Sequence, residues 1–175
     1  MEKERGVSMN FTRELKKYIL SRDMDLVGIA PASAMKEEEK FHTPEEILPG
    51  AKSIVVFGRR LSDGAVEQQM RKFEDDNVVA QSGYAAYASD LAPNFLLLFD
   101  TFNISQYIER TFGYTAVPLP CGPMQNGEPV STPMPHFAGP YKAGLPFNID
   151  KAAMAAGLGE FGWSNRILTP EFGPR

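Results

Sequence analysis

The last stretch of the chain, AAMAAGLGEFGWSNRILTPEFGPR from Ala152 to Arg175, constrains the fold most. It joins a run of small side chains to glycines that allow positive φ and close backbone approach. Gly157, Gly159 and Gly162 spell G-x-G-x-x-G, the pattern of a dinucleotide-binding turn. That pattern works only after a strand, before a helix and with an acidic residue about twenty positions further on. None of the three conditions is met. Asn148-Ile149-Asp150 followed by alanines reads instead as a helix start, with Asn148 or Asp150 as cap and Gly157 as the stop. Arg166 to Thr169 follows as a short β-like run.

Upstream, apolar strand-like runs alternate with amphipathic helices. Residues 1–10 read as a flexible N-terminus, and residues 11–175 as one domain. Leu15, Tyr18 and Ile19 recur at helical spacing, with Asn10 or Thr12 as the cap and an end near Asp23. Leu26 to Ala30 and Ser53 to Phe57 read as strands, the second rich in β-branched residues, with Leu48-Pro49-Gly50 as a turn between them. Ser33 to Phe41 reads as a charged surface helical turn, Ser62-Asp63-Gly64 as the close of the second strand, and Ala65 to Asp76 as an amphipathic helix. The strongest helix runs from Asp90 to Phe112, apolar nearly all round in its first half and therefore expected to be central, with Gly113 as its stop. Thr115 to Leu119 reads as a third strand. Pro120 to Phe147 has no hydrophobic period but holds Met124, Met134, Phe137 and Tyr141. A loop of this length in a compact domain is usually functional or disordered. The expected class is α/β (α+β), a mixed sheet flanked by helices.

Composition narrows the function. At 175 residues and 43% hydrophobic the chain can bury one good core. A net charge of -4 speaks against a nucleic-acid surface, which ordinarily carries a basic patch. The single cysteine, Cys121, excludes an internal disulfide and a self-contained iron–sulfur cluster, which needs about four thiolates. The first residues lack the apolar core of a signal peptide, and no run reaches the length of a membrane span. A cytoplasmic, soluble protein is expected.

Few residues suggest chemistry by themselves. His136 has no partner at metal-ligand spacing, and no nucleophile–base arrangement or phosphate-binding loop stands out. Tyr84 and Tyr87 precede the strongest helix, where a phenol is a reasonable proton donor; covering the core with their rings is the plainer role.

The terminal stretch closely resembles the segment AGLG-x-x-G-x-N-x-x-x-x-TPE-(F/Y)-G-x-R of the corrinoid and iron–sulfur reductases, the group that includes epoxyqueuosine reductase and the reductive dehalogenases. Ala156 to Gly159, Gly162 and Thr169 to Arg175 carry the match. DLVGIAPA (Asp25 to Ala32) and ILPGAKSIVVFG (Ile47 to Gly58) extend it more weakly in the family's order. The resemblance implies a nitroreductase-like fold, a cobalamin-type cofactor and a reduction fed by two four-iron clusters. In the family those clusters sit in a ferredoxin-like module after the AGLG stretch. Here they are expected from a missing C-terminal extension or a separate electron-donor protein, so that activity of this chain alone is uncertain.

On this resemblance Ala156, Gly157, Gly159, Gly162, Ser164 and Asn165 line the corrinoid, while His136 and Arg175 contact a small-molecule substrate. Tyr84 or Tyr87 takes the proton-donor role that the dehalogenases give to a tyrosine. The pocket is expected between Ala152–Asn165 and the Pro120–Phe147 loop, and bulk at Gly159 should abolish binding at less cost to the fold. Where epoxyqueuosine reductases carry an aspartate, Val117 to Cys121 has no carboxylate. The alternatives are a non-catalytic corrinoid or flavin binding module, or an inactive truncated product.

Overall fold

The computed structural model describes residues 2–35, 41–68, 95–119, 124–125, 128–129, 147–163 and 167–173. Helix α1 (Glu2–Leu20) leads into strand β1 (Leu26–Pro31), the short helix α2 (Pro44–Ile47) and strand β2 (Ser53–Gly58). Helix α3 (Leu97–Phe112), the two-residue strands β3 (Met124–Gln125) and β4 (Glu128–Pro129), helix α4 (Ile149–Ala155), and strands β5 (Glu160–Phe161) and β6 (Ile167–Leu168) follow. The architecture is broadly α+β, with three two-stranded antiparallel sheets among the described residues.

The chain divides into two compact units. The first comprises Met1–Arg59, Asn103–Pro118 and Phe147–Arg175; the second comprises Arg60–Phe102 and Leu119–Pro146. The first is centred on the β1–β2 hairpin, paired from Leu26 opposite Gly58 to Pro31 opposite Ser53. Both α1 and α4 pack on β1. Leu15 and Ile19 of α1 are fully buried, with Met24, Ala30, Ile104, Ile108, Ala152 and Ala153 also in the core. Burying each large aliphatic side chain contributes about 1.5–3 kcal/mol.

Local chemistry sets the ends of these elements. Thr43 caps α2 in a reciprocal box: its backbone N–H donates to Glu46 Oε2 at 2.7 Å, and the Glu46 N–H donates to Thr43 Oγ1 at 3.3 Å. These bonds hold the Glu46 carboxyl below its ordinary range, the backbone bond from Thr43 contributing most. The expected turn at Leu48-Pro49-Gly50 forms, with Gly50 at φ 81°. Gly113, at φ 72°, ends α3 as expected.

Several expectations are corrected. α1 is helical from Glu2, well before the expected caps Asn10 and Thr12. Thr115 to Leu119 forms no strand. The Ala116 N–H donates to the Glu109 carboxylate at 3.2 Å instead of to a neighbouring strand, Pro118 has no N–H, and Thr115 and Val117 are exposed. Ser62 starts a helical stretch at 63–68, accepting the Ala65 N–H at its hydroxyl, rather than only closing β2. α3 is not buried all round, since Phe99 is 63% and Phe102 51% exposed. The loop expected without structure contains the β3–β4 hairpin, whose strands flank Asn126-Gly127, a strong hairpin signal that the periodicity argument passed over.

Candidate functional site

The described residues of the segment that carries the resemblance are held by local backbone bonds. Asn148 caps α4, its side-chain Oδ1 accepting the Lys151 N–H at 2.9 Å. At the other end the Gly157 N–H donates to Met154 O at 2.9 Å and the Leu158 N–H to Ala153 O at 3.0 Å. Those paired bonds, with Gly157 at φ 74°, form a Schellman stop that satisfies the helix's last carbonyls. The chain then enters the β5–β6 hairpin, with Glu160 opposite Leu168 and Phe161 opposite Ile167. Thr169-Pro170-Glu171-Phe172-Gly173 closes on itself: Thr169 and Gly173 exchange two backbone bonds of 2.9 Å. The Phe172 N–H donates to Thr169 Oγ1 at 3.1 Å, and Gly173 sits at φ 63°. Threonine, proline and glycine in this motif are each explained by the turn they build.

The glycines expected to wall a ligand behave differently from one another. A Cβ on Gly157 would meet nothing within 4 Å. A Cβ on Gly159 would collide with the carbonyl oxygen of Leu168 and lie 2.9 Å from Ile167 Cγ2. One on Gly162 would lie 2.8 Å from Leu168 Cγ and Cδ1. The expectation that bulk at Gly159 costs the fold little is therefore corrected, because the hairpin itself occupies that side. Ala156 is half-buried and Ala155 exposed.

One participant was missed at the sequence level. Gly28, in the middle of β1, faces the end of α4, where a Cβ would come within 2.5 Å of Ala156 O and 2.7 Å of Ala156 Cβ. A glycine inside an otherwise β-branched and aliphatic strand marks a close backbone approach, and that signal would have found it. The two stretches that share the resemblance, around Gly28 and Ala156, are thus in direct contact.

Around this frame Met154, Phe161 and Leu168 are between 36% and 42% exposed, and Trp163 is completely so. The described part of the segment thus sets exposed apolar side chains beside a tight backbone turn. Lys151 is half-buried, and Glu160 and Glu171 are exposed. Tyr84, Tyr87, His136, Ser164, Asn165 and Arg175 lie outside the described residues, as does most of the Pro120–Phe147 loop. Among the described residues no group of three or more His, Cys, Asp or Glu is arranged to hold a metal. No described helix is long and apolar enough to cross a membrane. Comparison with family models, curated proteins and solved structures returns no match.

Proposed function

We propose that the chain is the cofactor-binding part of a corrinoid-dependent, iron–sulfur-linked reductase of nitroreductase-like fold. The supporting observation is Gly157, the one glycine of the AGLG segment whose missing side chain opens onto free space. It sits on a backbone rigidly held by the Schellman bonds and by the packing of Gly28 on Ala156. A flat macrocycle needs such a surface, where backbone can approach without a Cβ in the way. Gly157 and Ala156 are the described residues that hold the ring in this reading, with Ser164 and Asn165 donating to its amide side chains.

The corrinoid supplies the electron-transfer chemistry when bound, and the protein binds and orients it. Tyr84 or Tyr87 delivers the proton, and His136 and Arg175 contact the substrate. Electrons come from four-iron clusters in a partner or in a further part of the same protein. A non-catalytic binding module is favoured if the site holds the corrinoid but no donor reduces it.

Titration of the full chain with cobalamin tests the reading directly. Binding should shift the absorbance spectrum to the base-off form, since the motif offers no histidine ligand. Gly157→Phe should remove that shift while the circular dichroism stays native. No spectral change with cobalamin, together with binding of a flavin, overturns the corrinoid assignment in favour of a flavin module.

A further inference from the structure

Aromatic rings join α1 to α3 within the first compact unit. Tyr18 and Tyr107 stack with ring centroids 3.6 Å apart and planes 5° from parallel. Phe112 meets Tyr107 edge-on at 5.6 Å, and Phe11 meets Phe112 at 4.2 Å and Tyr114 at 5.5 Å, both steeply inclined. Aromatic pairs ordinarily prefer such inclined contacts, or a stack with a lateral offset. The tyrosine pair has neither. Its centroid separation lies at the contact distance of two carbon atoms, about 3.5–4.0 Å, which leaves almost no room for an offset. Whatever the rotation of each ring in its own plane, an ortho carbon of one phenol then lies against an ortho carbon of the other.

Packing alone does not call for phenols at both stacked positions. Where this cluster only fills space it uses phenylalanine, at Phe11 and Phe112. The chain as a whole holds 12 phenylalanines against 6 tyrosines, so the plainer ring was the commoner choice. Tyr18 and Tyr107 are both half-buried, and both line an opening of about 280 Å3 between the helices. Among the described residues neither phenol oxygen has a hydrogen-bond partner. Small oxidants therefore reach both rings, and a proton released from either phenol passes to solvent. A tyrosine that loses an electron and a proton carries its unpaired spin in part on its ortho carbons, the atoms that this stack brings together.

We propose that Tyr18 and Tyr107 form an oxidative cross-linking site, at which a peroxide joins α1 to α3 through a dityrosine bond. Each phenol gives up one electron and one proton, and the two phenoxyl radicals couple through their facing ortho carbons. Each coupling carbon then passes its hydrogen to its phenol oxygen, which restores both rings. The two electrons and two protons reduce one hydrogen peroxide to two waters, with a haem peroxidase as the one-electron catalyst. The bond closes a chain loop between positions 18 and 107, which stabilises the folded state by restricting the unfolded one. The site stands independently of the corrinoid reading. Its test treats the dilute full chain with hydrogen peroxide and a haem peroxidase, then maps the products by dityrosine fluorescence and peptide mass spectrometry. A monomer lighter by two hydrogen atoms should dominate, with Tyr18 joined to Tyr107, and once isolated it should need more denaturant to unfold. Tyr107→Phe keeps a ring in the stack and should lose that product while its circular dichroism stays native. Tyr114→Phe, which removes a 63% exposed phenol outside the stack, should leave the product unchanged. Links scattered over all six tyrosines, dimers in place of the linked monomer, no dityrosine while free tyrosine couples in the same mixture, or a link that survives Tyr107→Phe each overturns the proposal.

Discussion

The terminal glycine segment and a shallow cleft between α1 and α3, lined by Tyr18, Arg22, Gln106, Tyr107 and Arg110 among others, are made of opposite materials. The segment places backbone against backbone: Gly28 on Ala156, Gly159 on Leu168, Thr169 on Gly173. Its recognisable residues are largely consumed by the geometry they create, and among its described glycines Gly157 and Gly173 are left facing free space. The cleft does the reverse, using ordinary helix backbone to present long polar side chains to solvent. A segment can be distinctive because its backbone path tolerates few residue types, while a cluster of polar side chains from two helices leaves no trace at fixed spacing.

That contrast can be broken by substitution. Gly159→Ala should be the most damaging, by about 3 kcal/mol or more, because its Cβ meets a carbonyl that cannot retreat without opening the β5–β6 hairpin. Chemical denaturation measures it, and a near-neutral result would mean that the hairpin is not a packed element. Gly28→Ala should cost about 1–3 kcal/mol for the same kind of reason, the Ala156 backbone standing in the way. Gly157→Ala should cost about 1–2 kcal/mol, from the positive φ alone, because nothing lies beside it. If Gly157 and Gly159 proved equally sensitive, the distinction between open and packed glycines would fail. Asn148→Ala should remove about 1 kcal/mol through the lost cap.

On the cleft side, Arg110→Gln should leave stability within about 0.5 kcal/mol, since the residue is exposed. A smaller effect sharpens the same contrast at α2. Folding lowers the Glu46 pKa from its ordinary 4.5, chiefly through the Thr43 backbone bond. The ionised carboxylate therefore favours the folded state, fully so above 4.5, and that contribution is lost as pH falls through the lowered value. Glu46→Gln should flatten the dependence of the denaturation midpoint on pH between about 3 and 6. An unchanged slope would show that the capping carboxylate carries no charge-dependent share.

Signals confined to a few consecutive residues were legible in the chain: the strands at Leu26 and Ser53, the turn at Gly50, the cap at Asn148, the helix stops at Gly113 and Gly157. Each depends on φ preference, side-chain branching or one short hydrogen bond, which the local sequence determines. Hydrophobic pattern likewise placed Leu15 and Ile19 on the buried face of α1. What the sequence could not determine is which surfaces meet. The antiparallel pairing of β1 with β2, the loss of Thr115–Leu119 to a Glu109 side chain, and the stacking of Tyr18 on Tyr107 are contacts between distant positions. So is the difference between Gly157 and Gly159, which look alike in sequence and differ because Leu168 lies against only one of them. Only tertiary structure decides such contacts, because the energy of a side chain's neighbourhood depends on what the rest of the chain brings to it.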